Sequence, residues 1–200
     1  MAKKKATAKK NTAKPNVYQF KVSLKGTTPL VWRGFLAHEF IELIELHDLI
    51  QVTMGWKNCH LYSFEIGQKT YSNMDDDVGF DMGADNKTLD SEGQLLCDVL
   101  KGSKLFTYIY DFGDGWVHDV EIVKTLEHDL RMIYPVCIDG DNACPPEDCG
   151  GVDGFDELKR VLAGAKCVEQ DELLEWLGGY YNPFTFDPNI INQHFLWADI

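Results

Sequence analysis

Apolar and polar residues alternate through residues 18–24, which predicts a strand with one buried face. Residues 30–36 predict a second strand, and Pro29 stands at its beginning, where a missing N–H costs least. Over residues 40–54 the apolar positions recur at steps of three and four, the period of a helix, which Gly55 is suited to end. The pattern therefore predicts two strands and then a helix.

Two strand pairs are predicted further along the chain. Residues 60–66 and 69–72 alternate around a short turn, the pattern of a hairpin. The clearest pair places residues 106–112 and 116–122 on either side of a glycine-rich turn, with aromatic residues on one face. These segments predict two hairpins.

The connecting segments are less regular. Residues 73–92 are rich in Asp and Gly and predict an acidic, mobile excursion. A short helix is predicted near residues 94–100, and a short strand at 134–138 enters a loop rich in proline and glycine at 139–154.

Helical patterns dominate the last part of the chain. Apolar stripes in residues 155–162 and 173–177 predict two helices, and Asp187-Pro188, an N-cap before a first-turn proline, predicts a third. This order of elements favours an α+β fold with a mostly antiparallel or mixed sheet. We predict a single α+β domain over residues 16–200, with the early helix packed on the sheet and a helical part over approximately residues 154–200.

Charge divides the chain into two unlike parts. The whole chain has 19 basic and 32 acidic residues, a formal charge of −13. The first fifteen residues contain no acid and six lysines, namely Lys3, Lys4, Lys5, Lys9, Lys10 and Lys14. The rest of the chain is therefore strongly acidic and repels phosphate, so we expect any nucleic-acid contact to be confined to a flexible basic tail at residues 1–15.

No apolar run approaches the roughly 20 residues of a membrane span, and no hydrophobic stretch follows the first lysines. We therefore expect a soluble, cytoplasmic protein with no membrane partner. In that compartment its six cysteines are expected to be free thiols or metal ligands.

One polar constellation lies around the aromatic hairpin. Asp111, Asp114 and His118 are close across its turn, and His47 and His60 can join them from neighbouring elements. Converging Asp and His side chains are what a metal-dependent hydrolase or nuclease requires. The structural alternative is that the two aspartates stabilise the turn and His118 is a sheet residue.

A second constellation consists of three cysteines. Cys137, Cys144 and Cys149 lie in and beside a loop stiffened by two prolines, and can supply three corners of a zinc tetrahedron. The fourth ligand would be His118, His60 or Cys59. The spacing is wider than in zinc knuckles, and the alternative is a set of free, partly buried thiols.

Two weaker patterns are better explained by structure than by function. A run of aspartates can bind calcium or magnesium or form a solvated loop, and it consists of Asp75, Asp76, Asp77, Asp81 and Asp85. The aromatic stripe of residues 106–112 can stack on bases or belong to the core.

Four ordered motifs resemble the plasmid pRiA4b open-reading-frame-three-like family. They are Tyr108–His118 (YIYDFGDGWVH), Cys144–Gly151 (CPPEDCGG) before a helix, the stretch from Leu46-His47 to His60-Leu61, and the closing Phe186-Asp187-Pro188. The resemblance spans residue 18 to the C-terminus. It implies no established activity, although some members carry the labels of transposon passenger proteins or resolvases.

Resolvase chemistry does not suit this chain. A serine recombinase needs an activated serine and clustered arginines around the phosphate, whereas Arg33, Arg131 and Arg160 are far apart in an acidic body. Our leading hypothesis is a non-catalytic module that binds a protein partner, associated with mobile elements and zinc-stabilised through its cysteines. The alternatives are a metal-dependent hydrolase or nuclease and a nucleic-acid adaptor that uses the basic tail.

Overall fold

The alternating segments of the chain form one eight-stranded sheet in the computed structural model, which describes residues 15–73 and 88–196. The strands are β1 (Val17–Leu24), β2 (Trp32–His38), β3 (Tyr62–Ile66), β4 (Lys69–Ser72), β5 (Leu89–Asp90), β6 (Leu105–Tyr110), β7 (Trp116–Leu126) and β8 (Val136–Asp141). The helices are α1 (Leu43–Met54), α2 (Leu96–Leu100), α3 (Gly151–Ala163), α4 (Val168–Trp176) and α5 (Pro188–Phe195).

The order of strands across the sheet is β5-β4-β3-β6-β7-β1-β2-β8. All neighbours pair antiparallel except β4 and β5, which pair parallel. The predicted hairpin of residues 106–112 and 116–122 is found as β6 and β7, and it lies at the centre of the sheet. The α+β fold with a mixed, mostly antiparallel sheet is confirmed.

Helix α1 follows its sequence pattern closely. Leu43, Leu46 and Ile50 are fully buried on one face. At the N-terminus the carboxylate of Glu45 accepts the backbone N–H of Glu42 at 2.7 Å. Together with side chains from the strands and from α3, this face forms one continuous hydrophobic cluster. Because the helix is anchored in the core, it fixes the position of the segment that begins at Gly55.

Several boundaries differ from the prediction. Helix α3 begins at Gly151, inside the predicted loop, and the predicted strand at 134–138 is found at Val136–Asp141, beginning after Pro135. Helix α4 has no fully buried residue, so its apolar stripe is only partly covered. Asp187 caps α5 as predicted, since its side chain accepts the Asn189 N–H at 2.9 Å.

Strand β8 forms one edge of the sheet, and a side chain of α5 takes the place of a further strand. The Asn192 carboxamide accepts the Cys137 N–H at 2.7 Å and donates to the Cys137 carbonyl at 2.9 Å. Both backbone groups of Cys137 that face outward are therefore satisfied by one side chain.

No helix among the described residues is long and apolar enough to cross a bilayer.

Candidate metal centre

Two of the predicted site histidines lie in the aromatic core. His47, on α1, stacks on Tyr62 with ring centroids 3.6 Å apart, and its Nε2 lies 2.6 Å from Asn58 Oδ1. Its Nδ1 lies 2.7 Å from the Tyr108 hydroxyl. Burial lowers the pKa of His47 to about 4, so the ring is neutral, with Nε2–H donating to Asn58 and Nδ1 accepting from Tyr108.

His118, on β7, is fully buried beside the same tyrosine. Its Nδ1 donates to the Tyr108 carbonyl at 3.2 Å. Burial lowers the pKa of His118 to about 3. Tyr108 thus holds both histidines in the core, and the structure does not bring them to the other three predicted residues.

Asp111 stabilises the hairpin turn, in line with the structural alternative, whereas the side chain of Asp114 bonds to a different loop. Oδ1 of Asp111 accepts the backbone N–H groups of Gly113 and Asp114 at 2.9 and 3.3 Å. Asp114 reaches across to the next loop, where its Oδ2 accepts the Gly150 N–H at 3.1 Å. This last bond joins the hairpin to the beginning of α3, and Oδ2 of Asp111 stays directed at another group.

That group is the imidazole of His60. Its Nε2 lies 3.0 Å from Asp148 Oδ1, 3.7 Å from Asp111 Oδ2 and 3.9 Å from Glu147 Oε2. Nitrogen and oxygen ligands at zinc-like bond lengths in a tetrahedron are separated by about 3.3 Å. Each of the three carboxylate oxygens, taken singly, therefore lies at a distance from His60 Nε2 close to that between two ligands of one ion.

Glu147 is oriented by two donors. Its Oε1 accepts the Lys57 N–H at 2.7 Å and the Tyr110 hydroxyl at 3.0 Å. Burial raises the pKa of Tyr110, so its hydroxyl stays protonated and donates. The Glu147 side chain is only 10% exposed, yet neither its Oε2 nor His60 Nε2 has a hydrogen-bond partner among the described residues. Buried polar atoms without partners are rare and call for an explanation.

The segment that contains His60 is held from behind by Asn58. Asn58 has φ 54°, an αL conformation that asparagine tolerates. Its backbone N–H donates to Gln51 Oε1 at 3.0 Å, and its side chain bonds to His47 and, at 3.2 Å, to Asp48. The buried end of α1 therefore fixes where the next two residues stand.

Two overlapping groups of ligand atoms result. His60, Asp111 and Asp148 form one group, and Cys59, His60 and Glu147 form the other; within each group the ligand atoms lie within 4.8 Å of one another. Asp111 and Asp148 both have positive φ, at 53° and 56°. Aspartate, like asparagine, adopts this αL conformation more readily than most residues.

The structure does not bring the three predicted zinc cysteines together as such a group. Burial raises the pKa of Cys137 to about 11 and that of Cys149 to about 12, and burial also raises the pKa of the Cys144 thiol. Zinc coordination by these residues stays a prediction.

The other residues singled out in the sequence lie either in the core or outside the described residues. Phe106, Tyr108 and Tyr110 are buried, so most of the aromatic stripe belongs to the core. Two groups lie outside the described residues: the lysines Lys3, Lys4, Lys5, Lys9, Lys10 and Lys14, and the aspartates Asp75, Asp76, Asp77, Asp81 and Asp85.

The arginines give recombinase chemistry no support. Arg33 is buried, Arg131 pairs with Asp129, and Arg160 pairs with Glu157. These three arginines, all within the described part of the chain, form no cluster that could bind a phosphate.

Sequence reasoning missed Glu147 and Asp148 as members of the site. The signal available was their position in the motif CPPEDCGG, where two prolines precede and two glycines follow a pair of carboxylates. What the motif could not reveal is that this loop packs against the β6–β7 turn and residues 57–60.

Comparisons with known proteins agree with this architecture. The chain is 33% identical over 165 residues to the uncharacterized protein y4hQ of Sinorhizobium fredii, covering 82% of this chain and 81% of that protein. It also resembles the crystal structure of MM3350, a protein of unknown function from Methanosarcina mazei Go1, with a TM-score of 0.77 and 32% identity over 88% of this chain and 97% of the other. The sequence profile of the family described as plasmid pRiA4b ORF-3-like protein matches residues 16–191. The chain belongs to the plasmid pRiA4b ORF-3-like family.

Proposed function

We propose that this protein is a binding module whose functional site holds a divalent metal ion, zinc being the best match, through His60 together with carboxylates from among Asp111, Glu147 and Asp148. The observation that carries the proposal is a pair of buried atoms, His60 Nε2 and Glu147 Oε2, which lie 3.9 Å apart and make no hydrogen bond among the described residues, although His60 Nε2 also lies 3.0 Å from the exposed carboxylate of Asp148. An ion between them would satisfy both. Glu147 already has the two outer hydrogen bonds that orient metal-ligating carboxylates in other proteins.

The ion would cross-link separate segments of the chain. Its ligands come from the segment after α1, the β6–β7 turn and the loop before α3, three parts of the chain that are remote in sequence. Metal binding to such a site contributes to the free energy of folding. In this role the protein presents a metal-stabilised surface to a protein partner and performs no catalysis.

A zinc titration of the tag-free, full-length chain, monitored by calorimetry, tests the proposal. We expect about one ion per chain, with binding lost in His60→Ala. The matched control is His194→Ala, which removes an exposed histidine of α5 and should bind as the natural chain does. Zinc binding that survives in His60→Ala would contradict the proposal.

Elemental analysis of purified variants distinguishes zinc bound at His60 from zinc bound by the three cysteines. Elemental analysis of Cys144→Ser and His60→Ala should show zinc retained in the first and lost in the second. The opposite pattern would support coordination by Cys137, Cys144 and Cys149 in place of the His60 site.

Metal-assisted hydrolysis is a second candidate function, favoured by one observation. The side chain of Asp148 is 67% exposed, so an ion beside it would face solvent and have room for a bound water. A phosphodiester substrate with a chromogenic leaving group tests this with the zinc-loaded chain. Turnover that disappears in His60→Ala and persists in His194→Ala would support it, and no turnover above free zinc would exclude it for this substrate class.

The proposal also includes a cytoplasmic location, an association with mobile elements and a nucleic-acid contact through the basic tail. A cytoplasmic protein is supported by six cysteines, all among the described residues, that form no disulfide. If the tail provides a nucleic-acid contact, deleting residues 1–15 should weaken the dependence of DNA binding on salt concentration. An unchanged salt slope would remove the adaptor function.

A further inference from the structure

We infer that Cys59 is a thiolate ligand of the ion at His60, and that it makes the site select thiophilic cations such as Zn²⁺ and Co²⁺ over Mg²⁺ and Ca²⁺. The inference rests on the proposed function, because it assigns a further ligand and a class of metal to the same site.

Geometry places this thiol beside His60 and Glu147. Cys59 Sγ lies within 4.8 Å of the ligand atoms of His60 and Glu147. The Cys59 N–H donates to the Tyr110 hydroxyl at 3.1 Å, and its Sγ lies 3.9 Å from the same oxygen. Tyr110 therefore fixes both Cys59 and Glu147, and the two side chains approach His60 together.

The Cys59 side chain is also free to complete the coordination. It is exposed, so rotation about its Cα–Cβ bond can bring Sγ toward the ion without repacking the core. The adjacent backbone is held at Asn58, which limits the movement to the side chain. A Zn–S bond needs about 2.3 Å, slightly longer than the bonds to nitrogen and oxygen.

The chemistry of binding is an exchange of one proton for one metal bond. The S–H bond of Cys59 breaks, its proton goes to bulk water, and the sulfur lone pair forms the bond to the ion, with no change in oxidation state. A site made only of imidazole and carboxylates also accepts Mg²⁺ and Mn²⁺, whereas a thiolate favours softer cations. Cys59 would therefore decide which metal is retained.

Cobalt spectroscopy of the full-length chain tests the inference. Co²⁺ bound by a thiolate has a near-ultraviolet sulfur-to-cobalt charge-transfer band, which we expect for the natural chain and for Cys167→Ser. The latter is the matched control, because Cys167 is another exposed cysteine that lies outside both ligand groups. In Cys59→Ser the band should disappear and Co²⁺ affinity should fall by at least about tenfold.

Selectivity and proton release provide a second pair of measurements. A large excess of Mg²⁺ should fail to displace Co²⁺ from the natural chain and should compete in Cys59→Ser. The natural chain should release about one more proton per bound ion than Cys59→Ala, whose circular dichroism should match that of the natural chain because the changed side chain is exposed.

The possible outcomes separate the two proposals. A cobalt complex that depends on His60 but has no charge-transfer band, or a band that survives in both Cys59 variants, would overturn the role of Cys59 and leave the His60 site in place. Absence of any Co²⁺ or Zn²⁺ binding by the natural chain would overturn both.

Discussion

The Tyr110 hydroxyl lies 3.0 Å from Glu147 Oε1 and donates a hydrogen bond to it from the centre of the sheet. Tyr110 is fully buried on β6, so this bond fixes the loop just before α3 relative to the core. The second donor to Glu147 is the Lys57 N–H, on a different segment. One carboxylate thus depends on two elements for its orientation.

Removing this hydroxyl should weaken metal binding without unfolding the protein. In Tyr110→Phe the ring keeps its packing, but Glu147 loses one of the two donors that orient it. Loss of such outer partners typically lowers metal affinity by about 10–100-fold, and we expect a decrease of that size in zinc titration. The matched control is Tyr62→Phe, whose hydroxyl bonds to Ser91 at 2.8 Å, away from the site. Equal affinity in the two variants would contradict the prediction.

Stability should fall as the solution becomes acidic, because His47 and His118 are buried as neutral rings. Above their ordinary pKa of 6.5 both the folded and the unfolded forms are neutral, and stability does not depend on them. Below it the unfolded chain binds protons that the folded chain cannot. Stability is therefore lost progressively down to about pH 4 for His47 and about pH 3 for His118.

The expected decrease at pH 5 is about 2 kcal/mol for each of the two buried histidines. His38 adds to the trend, since burial and then the neighbouring His128 lower its pKa. Urea unfolding at pH 7 and pH 5 measures the effect, and His47→Gln should show a weaker pH dependence. A free energy of unfolding that is constant over this range would show that these rings take up protons in the folded state.

Gly154→Ala should disturb the beginning of α3. A Cβ at this position would lie 1.9 Å from the carbonyl oxygen of Cys149, although alanine otherwise favours helices. The loop or the helix must shift, and we expect a loss of at least about 2 kcal/mol in the free energy of unfolding. Gly34→Ala is the control, because its added Cβ would meet nothing closer than 3.5 Å. Similar losses in both variants would show that the clash is relieved without cost.

Arg33→Lys should be destabilising despite the conserved charge. Arg33 Nε donates to the Thr53 carbonyl at 3.0 Å, its Nη1 donates to the Asp141 carbonyl at 3.0 Å, and the guanidinium lies 4.0 Å from the ring centre of Phe186. A lysine ammonium cannot reproduce this planar set of contacts. Thermal or urea unfolding should show a loss of about 2–3 kcal/mol. Arg160→Lys, on the surface of α3, should leave stability nearly unchanged.

The strands and the first helix could be predicted because their burial is periodic. The alternation of residues 18–24 and the helical spacing of 40–54 reflect contacts that each element makes with a single core. Strand β5 (Leu89–Asp90) could not be predicted, because two residues are too few to show a period and its partner β4 decides its conformation. Helix α4 was predicted from a stripe that the structure leaves only partly covered.

The candidate site was predictable only in part, because it depends on contacts between remote segments. His60 and Asp111 were named as possible neighbours and do lie together. His47 and His118 were grouped with them because residue type is visible in a sequence, whereas their enclosure around Tyr108 is not. Glu147 and Asp148 come to the site through the Asp114–Gly150 bond, a tertiary contact without a periodic signal.

The pairing of Asn192 with Cys137 has a consequence for how copies of this chain behave toward one another. An exposed edge strand offers its backbone to any similar strand, which is a route to aggregation. Here a single carboxamide occupies that position on β8. A chain that lost α5 would leave the edge of β8 open. Such a chain would self-associate through β8 under conditions in which its core is still folded.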